Sequence, residues 1–395
     1  MSSFDLGADA ARRALAPAGV EYEAEAARER YATAVWCQLI EPGDSVAGRI
    51  VASRGAAAGL EAVLSGGPLA ELSPRELSEG RKRWLPRLSA RSVADALTTA
   101  AARGVTLVTR ADPHWPTQLD DLDAHAPLCL WVRGDAAALL RFGTSVAIVG
   151  ARASSRYGDH VAMELAAELA GGGVAVVSGG AYGIDGAAHR SALAVGGLTA
   201  ALLAGGADRA YPAGHTQLID DVARRGVVVS EVACGSAPTK WRFLQRNRLI
   251  AALSAATVVV EAGWRSGSLN TAGHAAALSR PLGAVPGPIT SATSAGTHRL
   301  IREYGAECIT SADDVRELLG VATAVDAGPA PGGYTGEGTR VKDALSTRAW
   351  RSAADVARRA GMTAEAVGSV LGLLRLEGSV ETSAEGWRLR RTSGG

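Results

Sequence analysis

Hydrophobic and polar residues follow three different patterns along this chain of 395 residues. Residues 1 to about 135 are rich in Ala, Leu, Glu and Arg at helical spacing and predict helices. Prolines between residues 112 and 128 disfavour helix there and indicate an extended passage into the next domain. Farther along, Ala-rich stretches of helix length alternate with short β-branched runs at residues 145–149, 174–177, 199–203, 227–230, 257–260 and 282–285. Such runs, without polar alternation, indicate strands buried on both faces, as a parallel sheet requires. The pattern predicts repeated βαβ units and an α/β fold with a doubly wound, mainly parallel sheet.

Changes of composition divide the chain into four segments. Residues 322–340 are rich in Gly and Pro, which is typical of a linker. The segment after it predicts a helix over 352–360, a second helix over 363–377 and a hairpin from 380 to 389, the order of a winged helix. We therefore expect a helical domain, an α/β core, a linker and a winged-helix domain at residues 1–105, 106–321, 322–340 and 341–395.

The charge balance excludes a histone-like polycation. The chain has 41 Lys and Arg against 40 Asp and Glu, a net charge of +1, so any nucleic-acid site must be a local patch. Its four cysteines are far apart and no Cys-x-x-Cys occurs, which argues against a zinc knuckle or a disulfide framework. No stretch is apolar and long enough for a membrane span, and no signal peptide is visible. We therefore expect a cytoplasmic protein.

Small and hydroxyl side chains follow the predicted strands, at the edge of the sheet where open α/β folds bind ligands. A Gly-Ala-Arg segment ending at Arg152 follows the first strand, the sequence Ser-Gly-Gly-Ala-Tyr-Gly-Ile-Asp-Gly at 178–186 follows the second, and Ser-Gly-Ser at 266–268 lies beyond the fifth. Loops of this kind let backbone N–H groups approach phosphate oxygens closely. Each loop alone could equally serve a tight strand-to-helix turn, but several on one sheet edge favour phosphate binding.

The strongest local feature is the segment Lys240-Trp241-Arg242-Phe243-Leu244-Gln245-Arg246-Asn247-Arg248. It holds four cations and two aromatic rings, and no acidic residue occurs between Glu231 and Glu261. Cations neutralise phosphates while an aromatic face stacks a base, so the segment predicts a platform for a single nucleic-acid strand. Alternatively, the segment is a helix with core aromatics. Arg246 or Arg248 would then brace the fold through an ion pair with one of these two glutamates.

Candidates for catalysis are few. The histidines are scattered without metal-ligand spacing, and neither a Walker A motif nor a Gly-x-Ser-x-Gly nucleophile elbow occurs. Asp185 and His189 are four residues apart and could form a catalytic dyad, but we favour Asp185 as a helix N-cap beside a packed His189. We therefore expect neither an enzyme nor a bound metal or cofactor.

Taken together and in this order, the loops resemble the DprA (Smf) family of bacterial DNA-processing proteins over about residues 105–320. The matching segments are Val149-Gly150-Ala151-Arg152, Ser178-Gly179-Gly180-Ala181-Tyr182-Gly183-Ile184-Asp185, Tyr211-Pro212, Ser230-Glu231, Phe243 with Arg246-Asn247-Arg248, Ser266-Gly267-Ser268 and Pro286-Gly287. Two of the departures from the usual family pattern are Gln245, which replaces a frequent proline, and Asn270, which replaces an aliphatic residue.

The resemblance implies an extended Rossmann-like core that binds single-stranded DNA, forms homodimers and loads RecA onto incoming or recombining DNA, as in natural transformation. It also implies an N-terminal domain of the SAM or helix-hairpin-helix kind and a C-terminal winged helix. The second helix of that expected winged helix contains only one cation, Arg375. A helix in the major groove normally carries more positive charge, which favours a protein-contact or regulatory module over duplex binding.

The resemblance further implies a set of DNA-contacting residues. Arg152 would bind phosphate, and Phe243 would stack a base near Lys240, three residues before it. Backbone amides of the strand-end loops would add phosphate contacts. The complete predicted set is Arg152, Ser178, Gly179, Gly180, Lys240, Phe243, Arg246, Asn247, Arg248, Gly267 and Ser268.

An enzyme is the alternative hypothesis. Nucleotide-binding hydrolases of the lysine-decarboxylase-like type also carry a Ser-Gly-Gly loop after a strand, and a Pro-Gly-Gly-x-Gly-Thr segment followed by a catalytic Glu. Here the corresponding strand end begins at Glu261 and matches only in part, because the required spacing is missing. We therefore expect the DNA-binding protein rather than the hydrolase.

Overall fold

The protein has a mixed α/β fold in a computed structural model that describes residues 4–321, 336–376, 378–383 and 385–390. These residues form two compact units, the first up to residue 321 and the second from residue 336. The expected linker at 322–340 lies mostly outside the described residues, and the division into four segments stays a prediction.

Within residues 4–105 the chain forms six α-helices, in agreement with the helical pattern of this region. They span Ala8–Leu15 (α1), Ala24–Leu39 (α2), Ser45–Arg54 (α3), Ala56–Ser65 (α4), Pro74–Trp84 (α5) and Ala90–Ala102 (α6). Their core contains Trp36 and Trp84, whose buried rings meet edge to face with centroids 5.4 Å apart. The same core includes Trp131 of the following sheet, so the helices are packed directly on the sheet.

Nine strands in the described part of the first unit build one sheet. They span Val105–Thr109 (β1), Cys129–Gly134 (β2), Ser145–Val149 (β3), Ala175–Ser178 (β4), Thr199–Leu203 (β5), Val227–Ser230 (β6), Ala256–Val259 (β7), Leu282–Ala284 (β8) and Glu307–Cys308 (β9). Their order is β1-β2-β6-β5-β4-β3-β7-β8-β9, and only the pairs β1–β2 and β2–β6 are antiparallel. The chain order reverses beside β3, so the carboxyl ends of β3 and β7 flank a topological switch point.

Helices cover both faces of the sheet. They span Arg156–Gly171 (α7), Ile184–Ala194 (α8), Thr216–Arg225 (α9), Lys240–Leu253 (α10), Ser268–Ala277 (α11), Ala295–Glu303 (α12) and Ala312–Leu318 (α13). Side chains of β3 alternate between two cores: Val146 and Ile148 pack with α7 and α8, while Ala147 and Val149 pack with α10 and α11. This burial on both faces confirms the large, mostly parallel sheet that the β-branched runs predicted.

The predicted strands agree closely with the observed ones. β3, β5 and β6 have the predicted bounds, β4 and β7 are shifted by one residue, and β8 ends one residue earlier than predicted. β1, β2 and β9 were not predicted. Helical spacing up to about residue 135 and the prolines between residues 112 and 128 indicated helices and then an extended passage into the next domain. That passage instead connects two antiparallel strands that pair from Val105–Arg133 to Thr109–Cys129.

The second unit contains three helices and a hairpin in its described residues. They span Glu337–Ala344 (α14), Ala353–Ala360 (α15), Ala364–Leu376 (α16), Val380–Ser383 (β10) and Gly386–Leu389 (β11). Arg351 pairs with Trp387 of the hairpin through an isolated antiparallel bridge. α15, α16 and the hairpin lie where the sequence predicted them. α14 begins inside the segment expected to be linker, because Val341 and Ala344 are buried in the core of this unit.

Asp185 and His189 do not form a dyad. α8 begins after the N-cap residue Gly183, so Asp185 lies in the first turn and is not the N-cap that we expected. Its carboxylate accepts hydrogen bonds from the amides of Gly179 and Ala181. His189 is fully buried; its Nδ1 lies 2.8 Å from the hydroxyl of Thr199, and its Nε2 has no partner. The packed His189 that we favoured is therefore confirmed.

Burial of His189 predicts a pH-dependent stability. Burial, reinforced by the charges of His215 and Arg246, lowers the pKa of His189 from 6.5 to about 3. Between these values the unfolded state binds one more proton, so stability is lost as the pH falls from about 6.5 towards 3. The free energy of unfolding of the wild type should therefore fall by about 1.4 kcal/mol for each unit that the pH is lowered within this window. We expect His189→Gln to remove this dependence, as measured by chemical denaturation at several pH values. Identical slopes in the two proteins would contradict a neutral buried imidazole.

Candidate nucleic-acid interface

A cleft of about 780 Å³ lies at the topological switch point of the sheet. Most of its lining comes from three elements: residues 149–153 at the end of β3, Gly263 with residues 265–268 after β7, and one face of α10. Ala181, Asp185 and Tyr211 also line it. Thr239 caps α10 by accepting a hydrogen bond from the amide of Arg242. The predicted strand-end loops and the predicted basic segment therefore meet in one place.

The half-buried ring of Phe243 is surrounded by three other side chains. The guanidinium carbon of Arg152 lies 4.7 Å from the ring centroid, and that of Arg246 lies 5.8 Å from it. Tyr211 approaches with its ring centroid 5.5 Å away, at an interplanar angle of 54°. Cations above an aromatic face are attracted by its quadrupole, so the ring holds Arg152, which has no acidic partner in the part of the chain that the structure describes.

Three exposed cations line the cleft, and within the described residues none of them has an ion pair. They are Arg152, Lys240 and Arg265. Arg265 was missing from the predicted set. A signal for it exists in the sequence, because no acidic residue occurs between Glu261 and Glu303. An arginine in a strand-end loop within such a stretch is a candidate for phosphate contact.

Arg246 lies beneath the cleft and connects its loops. Only 6% of it is exposed, and its guanidinium donates hydrogen bonds to the carbonyls of Gly179 and Leu202. Burial lowers the pKa of Arg246 to about 10, although the nearby carboxylate of Asp185 opposes this shift. Burial likewise raises the pKa of Asp185, against the opposing effect of Arg246 and two loop amides. Arg246 is thus a buried cation that supports the loops of the cleft.

The predicted phosphate loop at 178–180 is already hydrogen-bonded within the protein. The buried hydroxyl of Ser178 donates to the carbonyl of Ile148, and the amide of Gly179 donates to Asp185. The carbonyl of Gly180 lies 3.0 Å from the Nδ1 of His215. All three residues are buried, and none of them lines the cleft. Their positions give no support to DNA contacts by Ser178, Gly179 and Gly180, which stay a prediction.

Arg248 also lies away from the cleft. Its guanidinium makes two hydrogen bonds of 2.7 Å to the carboxylate of Glu231, and another of 3.0 Å to the carbonyl of His125. Arg248 and Glu231 are both buried, so this is a desolvated, bidentate pair. The alternative that one arginine braces the fold through Glu231 is confirmed for Arg248, and the prediction that it contacts DNA is not supported by its position.

Asn247 positions the loop that precedes α11. Its amide group donates to the carbonyl of Gly267 and to the side chain of Asn270, at 3.3 and 3.1 Å. Ser268 is held by a 2.8 Å hydroxyl contact with Ser266, and Gly267 is exposed at the N-cap position of α11. The positive end of this helix therefore faces the cleft, an arrangement that favours anions. Asn270, where the family usually has an aliphatic residue, supplies one of the acceptors.

Glu261 is a buried structural carboxylate. It accepts hydrogen bonds from the amide and hydroxyl of Ser155, at 2.8 and 2.6 Å, and from the hydroxyl of Thr293 at 3.0 Å. Only 2% of Glu261 is exposed, and it does not line the cleft. Its position gives no support to the catalytic role that the hydrolase hypothesis requires.

The N-terminal helices contact α10 at its first turn. Arg242 makes a bidentate contact with Glu41, in the connection between α2 and α3, at 2.9 and 3.0 Å. Arg87 donates a further hydrogen bond to the same carboxylate. Burial alone would raise the pKa of Glu41, but the hydrogen bonds and charges of the two arginines together lower it. Sequence analysis could not find this contact, because its partners are 201 residues apart.

The described parts of the chain contain neither a cluster of metal-binding side chains nor a membrane-spanning helix. Residues 4–321 and the described segments after 336 contain no cluster of three His, Cys, Asp or Glu side chains able to hold a metal ion. Of the helices in these segments, none combines the length and the apolar character needed to cross a membrane.

The different positions of Arg248 and Lys240 predict a large effect on stability for mutation of the first and a small effect for mutation of the second. Arg248→Met leaves Glu231 charged and buried without its partner, so we expect a loss of about 3–5 kcal/mol of unfolding free energy. Lys240→Met removes an exposed, unpaired cation and should change stability by less than about 0.5 kcal/mol. Urea denaturation of both variants beside the wild type measures the difference. Equal stabilities for the two variants would contradict the bracing role of Arg248.

The chain matches known proteins over the region that carries this cleft. Residues 106–320 match the family described as DNA recombination-mediator protein A. The DNA processing protein DprA of Mycobacterium tuberculosis is 44% identical over 317 residues, which cover 76% of this chain and 81% of the relative. Protein Smf of Escherichia coli is 40% identical over 194 residues, which cover 49% of this chain and 51% of the relative.

A solved structure agrees with these matches. The X-ray structure of DNA processing protein A (DprA) from Streptococcus pneumoniae aligns with a TM-score of 0.55 and 33% identity. The alignment covers 65% of this chain and 84% of that one. The matched region includes the sheet, the switch point and all three exposed cations of the cleft. This chain therefore belongs to the DNA recombination-mediator protein A (DprA/Smf) family.

Proposed function

We propose that the protein is a non-catalytic, single-stranded DNA-binding recombination mediator that loads RecA onto the bound strand. The proposal rests on three exposed cations, Arg152, Lys240 and Arg265, which line the same cleft as Phe243 and have no ion pair among the described residues. Cations that have no acidic partner in the free protein are available for phosphate, and an aromatic ring among them is available for a base.

The contact between Arg152 and Phe243 suggests how the strand binds. A base that stacks on Phe243 takes the place of the Arg152 guanidinium, which then moves to the adjoining phosphate. Arg246 stays beneath the ring, because it is buried and hydrogen-bonded to two carbonyls. Every base has a π-face, so binding of this kind is nearly indifferent to sequence.

The partners and setting of this activity are part of the same proposal. We infer a homodimer in the cytoplasm that protects single strands and passes them to RecA, in natural transformation or in general recombination. The sequence matches to DNA processing proteins support the role in DNA metabolism.

We infer that the second unit is a winged helix that serves protein contact or regulation. The order α14, bridge at Arg351, α15, α16 and hairpin supports this fold. Arg388, a cation of its hairpin, is occupied by two contacts within the unit: it pairs with Glu381 and lies over the ring of Trp350. This arrangement supports a contact module better than a duplex reader.

A salt titration of DNA binding tests the proposal. We expect the wild type to prefer a fluorescent oligothymidylate over a matched duplex. The slope of log affinity against log salt should be about −2, as three neutralised phosphates predict for a single strand. The double variant Lys240→Glu, Phe243→Ala should lose this binding.

The control for that experiment is Lys82→Glu. Lys82 is exposed on α5, where it pairs with Glu79, so its substitution changes the net charge equally without touching the cleft. No preference for single strands in the wild type, or equal binding by the double variant and the control, would overturn the proposed function.

The contact between Glu41 and Arg242 predicts that the N-terminal helices position the DNA site. Glu41→Gln weakens the bidentate contact and loosens the first turn of α10, so we expect affinity for single strands to fall about three- to tenfold. Glu71→Gln is the matched control, because Glu71 makes a similar contact with Arg54 away from α10. Anisotropy titrations of both variants measure the effect. Equal affinities in the two variants would contradict the positioning role.

A further inference from the structure

We propose that Trp264 forms a second base-stacking site at the rim of the cleft, so that a bound strand is held by two aromatic platforms. The ligand of this site is a further nucleobase of the same single strand. The inference rests on the proposed function and extends it from one stacked base to two.

The position of Trp264 is the first argument. The indole lies in the connection between β7 and α11 and is 58% exposed. Its neighbours on either side in the chain, Gly263 and Arg265, both line the cleft. An exposed indole in a ligand-binding loop leaves a large apolar surface in contact with solvent, and such exposure is typical of interaction sites.

The contact with Arg299 is the second argument. The guanidinium carbon of Arg299, on α12, lies 5.2 Å from the centroid of the Trp264 ring. Arg299 is itself held by a 2.7 Å hydrogen bond to Glu303 and lies 5.6 Å from the ring centroid of Tyr304. A guanidinium held on both sides restrains the indole, so little conformational entropy remains to be lost when a base stacks.

The two aromatic residues have the same kind of surroundings. Phe243 lies against Arg152, and Trp264 lies against Arg299, each with a guanidinium carbon within about 5 Å of the ring centroid. Arg265 follows Trp264 directly and is exposed and, among the described residues, unpaired. It can neutralise the phosphate between the two stacked bases. A basic groove with successive aromatic side chains is how proteins hold single strands without reading sequence.

The charge distribution around Trp264 is the third argument. Residues 262–302 contain no Asp or Glu, while Arg265, Arg280, Arg299 and Arg302 all lie in this segment. Arg280 pairs with Asp121 and Arg299 with Glu303, whereas Arg265 and Arg302 have no ion pair among the described residues, so the available positive charge of this segment comes from these two. An aromatic residue that instead served a protein partner would not need this bias towards positive charge.

An abasic scan tests the inference. Oligothymidylates with a single abasic residue at each position in turn are titrated by anisotropy against wild type, Phe243→Ala and Trp264→Ala. In the wild type we expect two positions at which loss of the base weakens binding by about fivefold or more, the lower end of what one stacked base contributes. Trp264→Ala should abolish one of these two positions and leave the other, and Phe243→Ala should do the reverse.

Two further variants keep the result interpretable. Trp264→Phe retains an aromatic face and should restore the second position, whereas Trp264→Leu retains apolar contact with Arg299 and should not. Thermal unfolding and the binding of oligonucleotides too short to reach both rings report whether each variant is folded.

The outcomes separate the two proposals. A scan with one sensitive position in the wild type, or with both positions intact in Trp264→Ala, overturns the second site and leaves the proposed function standing. The same holds if Trp264→Leu restores the second position as well as Trp264→Phe does. Absence of single-strand binding in the wild type, or no effect of Phe243→Ala at any position, overturns the proposed function as well.

Discussion

The cleft depends on a buried guanidinium. Arg246 is attached to the middle of α10 and donates hydrogen bonds to the carbonyls of Gly179 and Leu202, at the ends of β4 and β5. The carboxyl group of Asp185 interacts electrostatically with this guanidinium and accepts hydrogen bonds from backbone amides of the same loop. Removing water from such a group is costly unless its hydrogen bonds are satisfied, so the loops are fixed in the one arrangement that satisfies them. Phe243 rests above this cation, and its ring therefore has a fixed position.

α10 has two roles that follow from its geometry. Residues three and four apart share a helix face, so Lys240, Phe243 and Asn247 lie on the side of the cleft. Arg248 is one residue, or about 100°, further round, and Arg242 is one residue before Phe243. These two arginines turn towards acidic partners on other elements, Glu231 and Glu41. The helix thus presents its unpaired cation to the cleft and uses its paired cations to anchor itself.

The sequence predicts the helices and strands of the core better than it predicts the roles of individual side chains. Six strands follow from β-branched runs alone, because residues buried on both faces leave a continuous apolar signal. Helical spacing in 240–248 contained enough information to separate Arg248 from Phe243, and the acid-free stretch after Glu261 contained the signal for Arg265. The contact of Glu41 with Arg242 joins residues 201 apart and leaves no local pattern. The hydrogen bonds of the buried residues 178–180 likewise leave no local pattern in the sequence.

The near-zero net charge is compatible with binding of a polyanion because the charges are segregated. Residues 232–302 hold eight of the 41 basic residues of the chain and only one of its 40 acidic residues, the buried Glu261. Several of these cations are neutralised by carboxylates from outside the segment: Arg242 by Glu41, Arg248 by Glu231 and Arg280 by Asp121. Lys240 and Arg265 are left unpaired among the described residues, beside Arg152 on the opposite loop. Ion pairs thus neutralise the cations that stabilise the fold, and the positive charge that remains lies at the cleft. The low-dielectric walls of the cleft strengthen the field of this charge towards a phosphate backbone.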